Sequence, residues 1–321
     1  MQKQSLLRWV VSLFLCIAAT ASFAQSGTPL RIIVPFNPGG GSDLFARLIA
    51  PGLQQNLQRP VIVENRAGAG GIIGAEYVIK AAPDGNTLLL SDASAYTISP
   101  AIYPALPYAA KDLKPVVEAG RFANVLLVPE GSPFHSLQEV IAAARKDPGK
   151  LTIASSGNGA STHLAAEKLQ RDGGIRLTHV PYKGTGPALS DLLAGHVDMM
   201  FSGLPSVAEY LRAGKLRALA IASSERSSFA PDVPTVAEAG LPGFESLISQ
   251  GLFAPAGTPD AVVTQVNAAV NQYLNSPEMA QRLQDLKVEP HKESAAQYKA
   301  WLDKDAQVWA RLIKDASIKV E

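Results

Sequence analysis

Short apolar runs alternate along most of the chain with segments whose apolar residues recur at helical spacing. The runs LRIIVPF, VIVENR and TLLLS predict buried strands, and IIGAEYVIKA, between the second and third, predicts a helix. From about residue 255 onward the pattern is mostly helical, and the chain contains neither an internal repeat nor a low-complexity linker. Alternating strands and helices are typical of α/β proteins. The hydrophobic pattern therefore predicts α/β architecture.

One local pattern recurs: an apolar strand, a turn rich in Gly, Ser or Thr, and the start of a helix. It occurs at VPFNPGGGSD, IASSGNGAST and VPYKGTGPA. The start of a helix carries unpaired N–H groups and a partial positive charge, and glycine lets an anion approach the backbone. Such turns are also common as tight connections. Three of them in one chain favour ligand binding, and two facing each other would hold a carboxylate without a cationic side chain.

The first residues have the pattern of an export signal. Lys3 and Arg8 precede the apolar run Trp9–Ala19, and small residues lead to Ala24. The run is shorter than the roughly 20 apolar residues that a membrane-spanning helix needs. We expect a signal peptide over residues 1–24, cleaved after about Ala24, and a soluble mature protein in the periplasm. Cys16 would leave with the signal peptide.

Composition narrows the class of protein. The chain has 321 residues, of which 47% are apolar and 18% charged, which fits two folded domains of moderate size. With 29 basic and 28 acidic residues, it has no net field to attract nucleic acid or an anionic membrane. A single cysteine excludes a disulfide framework and a thiolate metal cluster.

Several enzymatic patterns are only partly matched. The glycine-rich segment at 68–74 approaches a dinucleotide fingerprint, with Asp92 beyond it, but Ile73 stands where the third glycine belongs. The G-x-S-x-G motif of serine hydrolases does not occur. Neither pattern predicts a nucleotide or hydrolase site.

Two constellations leave alternatives open. Ser161, His163 and Asp198 have the residue types of a catalytic triad, although sequence offers no geometry for them. His163 and Glu167 stand four apart, a spacing that could ligate metal, but no third ligand is evident and a buried histidine is favoured. We expect no metal site.

Six stretches of the chain resemble the signature segments of the Bug family, the extracytoplasmic solute-binding proteins of tripartite tricarboxylate transporters. They are VPFNPGGGSDLFAR, VENRAGAGGIIGAEYV, PDGNTLLL, HVPYKGTGPALSDLLAGHVDMMF, PDVPTVAEAGLPGFE and GLFAPAGTP. The resemblance covers essentially all of the mature chain, in order. It implies a type II periplasmic-binding-protein fold, in which two α/β lobes joined by two hinge strands close over a small carboxylate. It also implies no catalytic activity and no cofactor.

The resemblance carries the family's ligand site onto specific residues. The first turn is Phe36, Asn37, Pro38, Gly39, Gly40, Ser42 and Asp43, and the second is Ser156, Gly157, Asn158, Ser161 and His163. Further residues would line the cleft: from the second lobe Tyr182, Lys183, Gly184 and Thr185, and from the first Ser91 and Ser94. In the family these turns hold the carboxylate through backbone N–H groups, hydroxyls and bridging waters.

Some of these positions have two interpretations. Phe36 and Tyr182 are either apolar walls of the cleft or ordinary core residues. Asp43 and Arg47 are four residues apart, which is typical of an ion pair on a helix surface. The alternative interpretation is that Asp43 orients the turn or accepts a hydrogen bond from the ligand. Lys183 is the one nearby cation that could meet a second carboxylate.

The two-lobe fold implies lobe boundaries and a mechanism. We expect the first lobe at 25–124 plus 229–321 and the second at 125–228, with hinges at ANVLLVP and IASSERSS. Closure would capture the ligand and present a surface to the large and small membrane subunits of the transporter, with the binding protein acting as a monomer. Two alternative functions remain: an exported enzyme that uses Ser161 and His163, and a sensor for a membrane receptor.

Three residues depart from the family's pattern. Ser249 stands where many members carry tryptophan, Asn86 replaces a common tyrosine, and Pro51 interrupts the first predicted helix. We expect the first departure to alter the wall near the cleft and the other two to affect local packing. Family members bind dicarboxylates, tricarboxylates, amino acids, and aromatic or nicotinic acids. The turns do not specify which of these this chain binds.

Overall fold

The computed structural model describes residues 27–228, 230–286, 288, 292–315 and 318. The predicted signal peptide, with Cys16 and the cleavage site after Ala24, lies outside the described residues. Over the described ranges, no helix combines the length and the apolar character needed to cross a membrane.

The described residues form a nine-stranded sheet covered by α-helices. The strands are β1 Leu30–Val34, β2 Val61–Asn65, β3 Thr87–Asp92, β4 Leu113–Pro129, β5 Thr152–Ser155, β6 Thr178–Pro181, β7 Met199–Gly203, β8 Leu216–Ile221 and β9 Leu247–Pro255. The helices are α1 Gly41–Leu57, α2 Ile72–Ile79, α3 Ser94–Thr97, α4 Ser99–Ile102, α5 Leu137–Lys146, α6 Ser161–Gly173, α7 Thr185–Leu193, α8 Leu204–Arg212, α9 Asp260–Leu274, α10 Pro277–Asp285 and α11 Ala295–Asp315. The predicted α/β architecture is confirmed.

The long strand β4 joins two halves of the sheet, whose strand order is β2-β1-β3-β9-β4-β7-β5-β6, with β8 also paired to β4. Its first part pairs antiparallel with β9, up to Ala123↔Leu247, and its last part pairs with β7 and β8, from Asn124↔Gly203 onward. Register shifts near Pro115 and Glu118 mark bulges, which bend a strand. The point at which β4 changes its pairing partners, between Ala123 and Asn124, lies at the start of ANVLLVP, the first predicted hinge.

Each half of the sheet has its own core, and we call the halves the first and second lobes. Leu30, Phe45 and Leu252 pack in the first lobe, and Leu126, Ile153 and Phe201 pack in the second. The sequence prediction assigned the chain from 229 onward to the first lobe. The second core also contains side chains between Val236 and Phe244, and β9, which begins at Leu247, pairs with β3 of the first lobe.

The predicted interruption at Pro51 does not occur. Helix α1 runs continuously through this residue, whose side chain lies on the exposed face. Proline removes one intrahelical hydrogen bond and crowds the carbonyl of Arg47, four residues earlier, and α1 continues despite this cost. Asn86 acts locally as expected: its amide hydrogen-bonds Asp84 and accepts a hydrogen bond from Arg59.

Ser249 lies in β9, in the first lobe, next to the bulge of β4. Its hydroxyl donates to Glu118 Oε1 at 2.5 Å and lies 3.2 Å from the hydroxyl of Tyr298. Ser249 is buried and is not among the described residues that line the cleft. Ser249 therefore does not form the cleft wall, although its neighbours Ile248 and Gln250 do.

Candidate ligand-binding cleft

A small cavity of about 30 Å³ lies between the lobes. It is lined by Phe36, Gly40, Gly41, Ser42, Asp92, Phe122, Ser156, Ser161, Thr162, Thr185, Gly203, Ser206, Ile248 and Gln250. Most of these residues belong to the first turns of four helices, α1, α6, α7 and α8. Both lobes, together with the strands β4 and β9, therefore contribute to one site.

The four helices begin at the cavity, and none is capped by its own N-cap residue, although in α6 Ser161 N donates to Asp92 at 3.4 Å. Their capping positions are Gly40, Ala160, Gly184 and Gly203, and none of these residues hydrogen-bonds the helix through its side chain. Free N–H groups and the partial positive charge of a helix start both favour an anion. The described lining residues include no Lys, Arg or His. The cavity can therefore bind a carboxylate through backbone amides and hydroxyl groups.

Asp43 holds the first turn in shape from behind. Its carboxylate accepts hydrogen bonds from Gly39 N at 3.2 Å, from Arg47 Nε at 3.1 Å and from Asn65 Nδ2 at 3.0 Å. Burial alone would raise the pKa of the Asp43 carboxyl, but these hydrogen bonds outweigh burial and hold the pKa below its usual range. Asp43 does not line the cavity, so it fits the predicted orienting role.

The second turn is held by side chains from the first turn of α6. Thr162 Oγ1 accepts a hydrogen bond from Ser156 N at 3.0 Å, and His163 Nδ1 accepts one from Gly159 N at 3.1 Å. Gly157 and Gly159 have φ values of +140° and +73°, where other residues are strained. The geometry explains why the turn needs glycine, Thr162 and His163 at these positions.

A pair of stacked histidines supports this turn. The rings of His163 and His179 lie 4.2 Å apart at 17°, and His179 Nε2 shares a hydrogen bond of 2.7 Å with Ser155 Oγ. Burial, together with the neighbouring His163, lowers the pKa of His179 to about 4, while Glu167 opposes the shift. His179 is therefore neutral in the folded protein well below pH 6.

The stacked pair makes stability depend on pH. The unfolded chain takes up a proton on His179 near pH 6.5 and the folded protein only near pH 4, so stability falls as pH drops through this window. As the pH drops from 7 to 5, protonation of His179 in the unfolded chain lowers the free energy of unfolding by about 2 kcal/mol. In urea titrations, the free energy of unfolding of His179→Gln should fall by about 2 kcal/mol less than that of the wild type between pH 7 and pH 5. The control is His196→Gln, since the His196 side chain is 69% exposed, and its stability should change with pH as that of the wild type does. A change of stability with pH in His179→Gln equal to that of the wild type would contradict the prediction.

The third glycine-rich segment closes on the first turn across the cleft. Asn37 N donates to the carbonyl oxygen of Lys183 at 2.9 Å, which joins the lobes through backbone atoms. Tyr182 donates to Asp191 at 2.6 Å; its partial burial, with the acceptor Asp191, raises the pKa of Tyr182 to about 12. The Lys183 side chain is exposed and lines a second cavity of about 230 Å³ at the mouth, together with Phe36 and Asn158.

Apart from Ser91 and Ser94, the predicted site residues thus fall into three groups. The inner cavity is lined by Phe36, Gly40, Ser42, Ser156, Ser161 and Thr185, and the mouth by Phe36, Ser156, Gly157, Asn158, Tyr182 and Lys183. The remaining ones, Asn37, Pro38, Gly39, Asp43, His163 and Gly184, shape the turns around the cavity. Ser91 and Ser94 are buried and do not line it; Asp92, between them, does.

Sequence reasoning missed several lining residues because they carry no motif. Gln250 and Ile248 come from β9, Phe122 from β4, and Ser206 from α8. Gln250 Oε1 accepts a hydrogen bond from Ser42 Oγ at 2.8 Å and so links β9 to the first turn. A buried glutamine within an apolar strand is the only signal that could have pointed to this region.

The residues of the alternative triad have other partners. Asp198 accepts hydrogen bonds from Thr152 N and Thr152 Oγ1, both at 2.7 Å, and Ser161 Oγ donates to Asp92 at 2.8 Å. His163 accepts from Gly159 and stacks on His179, and its Nε2 lies 3.6 Å from Glu167. Each residue has a structural role in the cleft or the second lobe.

Comparison with known proteins identifies the family. The model of the "Tripartite tricarboxylate transporter family receptor" matches residues 45–318. The chain belongs to this family. It is similar to the protein BugT of Bordetella pertussis, with 36% identity over 318 residues that cover 97% of this chain and 98% of BugT. The resemblance to the Bug family is confirmed.

Solved structures of this receptor family share the fold. The periplasmic binding protein BugD matches with a TM-score of 0.87 and 32% identity, covering 91% of this chain and 99% of BugD. MatC from Rhodopseudomonas palustris, solved with bound malate, matches with a TM-score of 0.85 and 34% identity, covering 89% and 99%. The predicted periplasmic-binding-protein fold is confirmed, and these receptor-family neighbours are binding proteins.

Proposed function

We propose that the protein is a periplasmic solute-binding receptor that captures a small carboxylate and delivers it, unchanged, to a tripartite tricarboxylate transporter. The observation that carries the proposal is the convergence of four helix N-termini, none capped by the side chain of its own N-cap residue, on one cavity. The malate bound by MatC supports a small carboxylate as the kind of ligand.

Closure of the two lobes would complete the site. We place the first lobe at 25–124 plus the chain from about 247, and the second lobe between them, because residues up to Phe244 pack in the second core. The first turn and Gln250 would bind the carboxylate in the open form. The turns at Ser156–Ser161 and Lys183–Thr185 would then close over it, as the bond from Asn37 N to Lys183 illustrates.

The proposed partners follow from the family. The large and small membrane subunits would recognise the closed form of a monomeric receptor, and the signal peptide would direct it to the periplasm. The receptor would supply affinity and selectivity, and the membrane subunits would supply the path across the bilayer. No catalytic role is proposed for Ser161 or His163, since both are engaged in shaping the cleft.

A thermal-shift screen of the refolded mature protein against small carboxylates tests the function. A ligand that binds only the folded state adds about 2.7 kcal/mol to stability at a hundredfold excess over Kd. We expect a clear rise in the melting temperature with at least one carboxylate and recovery of that acid chemically intact. The absence of a shift with every acid, or a chemically altered product, would contradict the proposal.

A further inference from the structure

The glycine-rich segment between β2 and α2 lies at the mouth of the cleft. Residues 68–71 line the outer cavity of about 230 Å³, together with Gly157 and Asn158 of the second turn. All four residues of the segment have positive φ values, including +47° at Ala69, where a residue with a side chain is strained. Such strain persists only where the surrounding structure holds it, and it clusters at clamps and switches that act on ligands.

The backbone of this segment packs directly on the backbone of the second turn. A Cβ atom at Gly70 would overlap the carbonyl oxygen of Asn158, and a Cβ atom at Gly157 would lie 3.3 Å from Gly70 Cα. Glycine at both positions allows this close approach. Since the segment belongs to the first lobe and the second turn to the second lobe, the contact forms only when the lobes close.

Tyr103 adds a side-chain hydrogen bond to the same contact. It directly follows α4 in the first lobe, and its hydroxyl donates to the carbonyl oxygen of Asn158 at 2.7 Å. Its ring packs so closely on Gly159 that a Cβ atom there would lie 2.7 Å from Tyr103 Cε2. Partial burial raises the pKa of Tyr103 above its usual range, so the hydroxyl keeps the proton that it donates.

The position of this contact links it to the release of a captured acid. The inner cavity and the mouth adjoin, because Phe36 and Ser156 line both of them. Tyr103 and residues 68–71 line only the mouth among the described cavities. An acid that leaves the inner cavity through the mouth therefore passes the contact, and the lobes must separate there to let it out.

We propose that Tyr103 and residues 68–71 form a latch that holds the closed form and sets how long a captured carboxylate stays bound. The latch acts on the backbone of the second turn and not on the acid, so it stabilises the closed form equally for every acid. This inference rests on the proposed function, in which closure of the lobes captures the carboxylate. Tyr103 is thus a positioning residue of the receptor.

Tyr103→Phe removes the hydroxyl and keeps the ring. Rapid filtration with isotope-labelled succinate, L-malate, glutarate and benzoate gives the association and dissociation rate constants of those acids that bind the wild type. We expect the dissociation rate constant to rise about threefold to tenfold, the factor that one hydrogen bond contributes. The association rate constant and the ligand-free melting temperature should not change. The control is Tyr77→Phe, since the Tyr77 hydroxyl bonds Arg31 within the first lobe, and it should match the wild type.

Gly70→Ala tests the backbone contact with the same four acids. Its methyl group would meet Asn158, so the dissociation rate constant should rise at least tenfold. Gly174→Ala is the matched control, because Gly174 has a φ of +58° against +62° at Gly70. A Cβ atom at Gly174 has no neighbour within 4 Å among the described residues, so this variant has the backbone strain without the contact.

The outcomes separate the latch from the proposed function. An acid that leaves Tyr103→Phe and Gly70→Ala as slowly as it leaves the wild type would overturn the inference while the proposed function stands. Effects of Tyr103→Phe that differ clearly between acids would show that Tyr103 contacts the acid itself and would also overturn the latch. If none of the four acids binds the folded wild type, the proposed function falls, and the inference falls with it.

Discussion

Arg121→Met is expected to lower the free energy of unfolding by about 3–5 kcal/mol, because it leaves a buried carboxylate without its cation. Glu118 has a side chain that is 0% exposed, and it receives hydrogen bonds from Arg121 Nε at 2.9 Å and Nη2 at 2.8 Å. The guanidinium also lies 4.1 Å from the ring centroid of Trp301. In Arg121→Met, Ser249 would remain as the nearest described donor to Glu118.

Urea unfolding of the wild type and the variant measures this effect. Arg212→Met is the matched control, since Arg212 pairs with Glu209 through side chains that are 60% and 78% exposed, and its loss should cost less than about 1 kcal/mol. The double variant Glu118→Gln/Arg121→Met should recover part of the stability because the buried charge is gone. A loss in Arg121→Met no larger than in Arg212→Met would show that the buried pair does not contribute the expected stability.

Gly186→Ala is expected to weaken ligand binding at least tenfold by preventing full closure. A Cβ atom at this position would lie 2.5 Å from the carbonyl oxygen of Pro38 in the opposite lobe, roughly 1 Å short of an ordinary carbon–oxygen contact. Gly186 lies in the first turn of α7, outside the left-handed region, so alanine introduces no backbone strain there. The steric clash therefore destabilises only the closed form. Because fewer molecules can close, the apparent affinity for the ligand decreases in proportion.

Titration with the best carboxylate from the thermal-shift screen, together with small-angle scattering, checks this prediction. Saturating ligand should compact the wild type but not Gly186→Ala, while the ligand-free melting temperature stays the same or rises slightly. Gly131→Ala is the control, because a Cβ atom at Gly131 has no neighbour within 4 Å among the described residues. Compaction of Gly186→Ala equal to that of the wild type would mean that this contact does not limit closure.

Local sequence patterns were enough to predict the elements and the chemistry of the turns. Strand β1 is apolar except for Arg31, and Gly186 in the third glycine-rich segment allows the close backbone approach to Pro38. The lobe boundary was less predictable. Residues from Val236 to Phe244 precede β9 without a strong periodic pattern, and only their packing assigns them to the second core.

The sequence by itself determined the α/β architecture, the three glycine-rich turns at helix starts and the family to which the chain belongs, because strand runs, turn residues and helix caps act over short distances. Only the tertiary structure decided which polar groups meet at the cavity. It brought Asp92 to Ser161 and Gln250 to Ser42. Both contacts join residues far apart in the chain, and no local pattern encodes which buried polar groups meet when two lobes pack against each other.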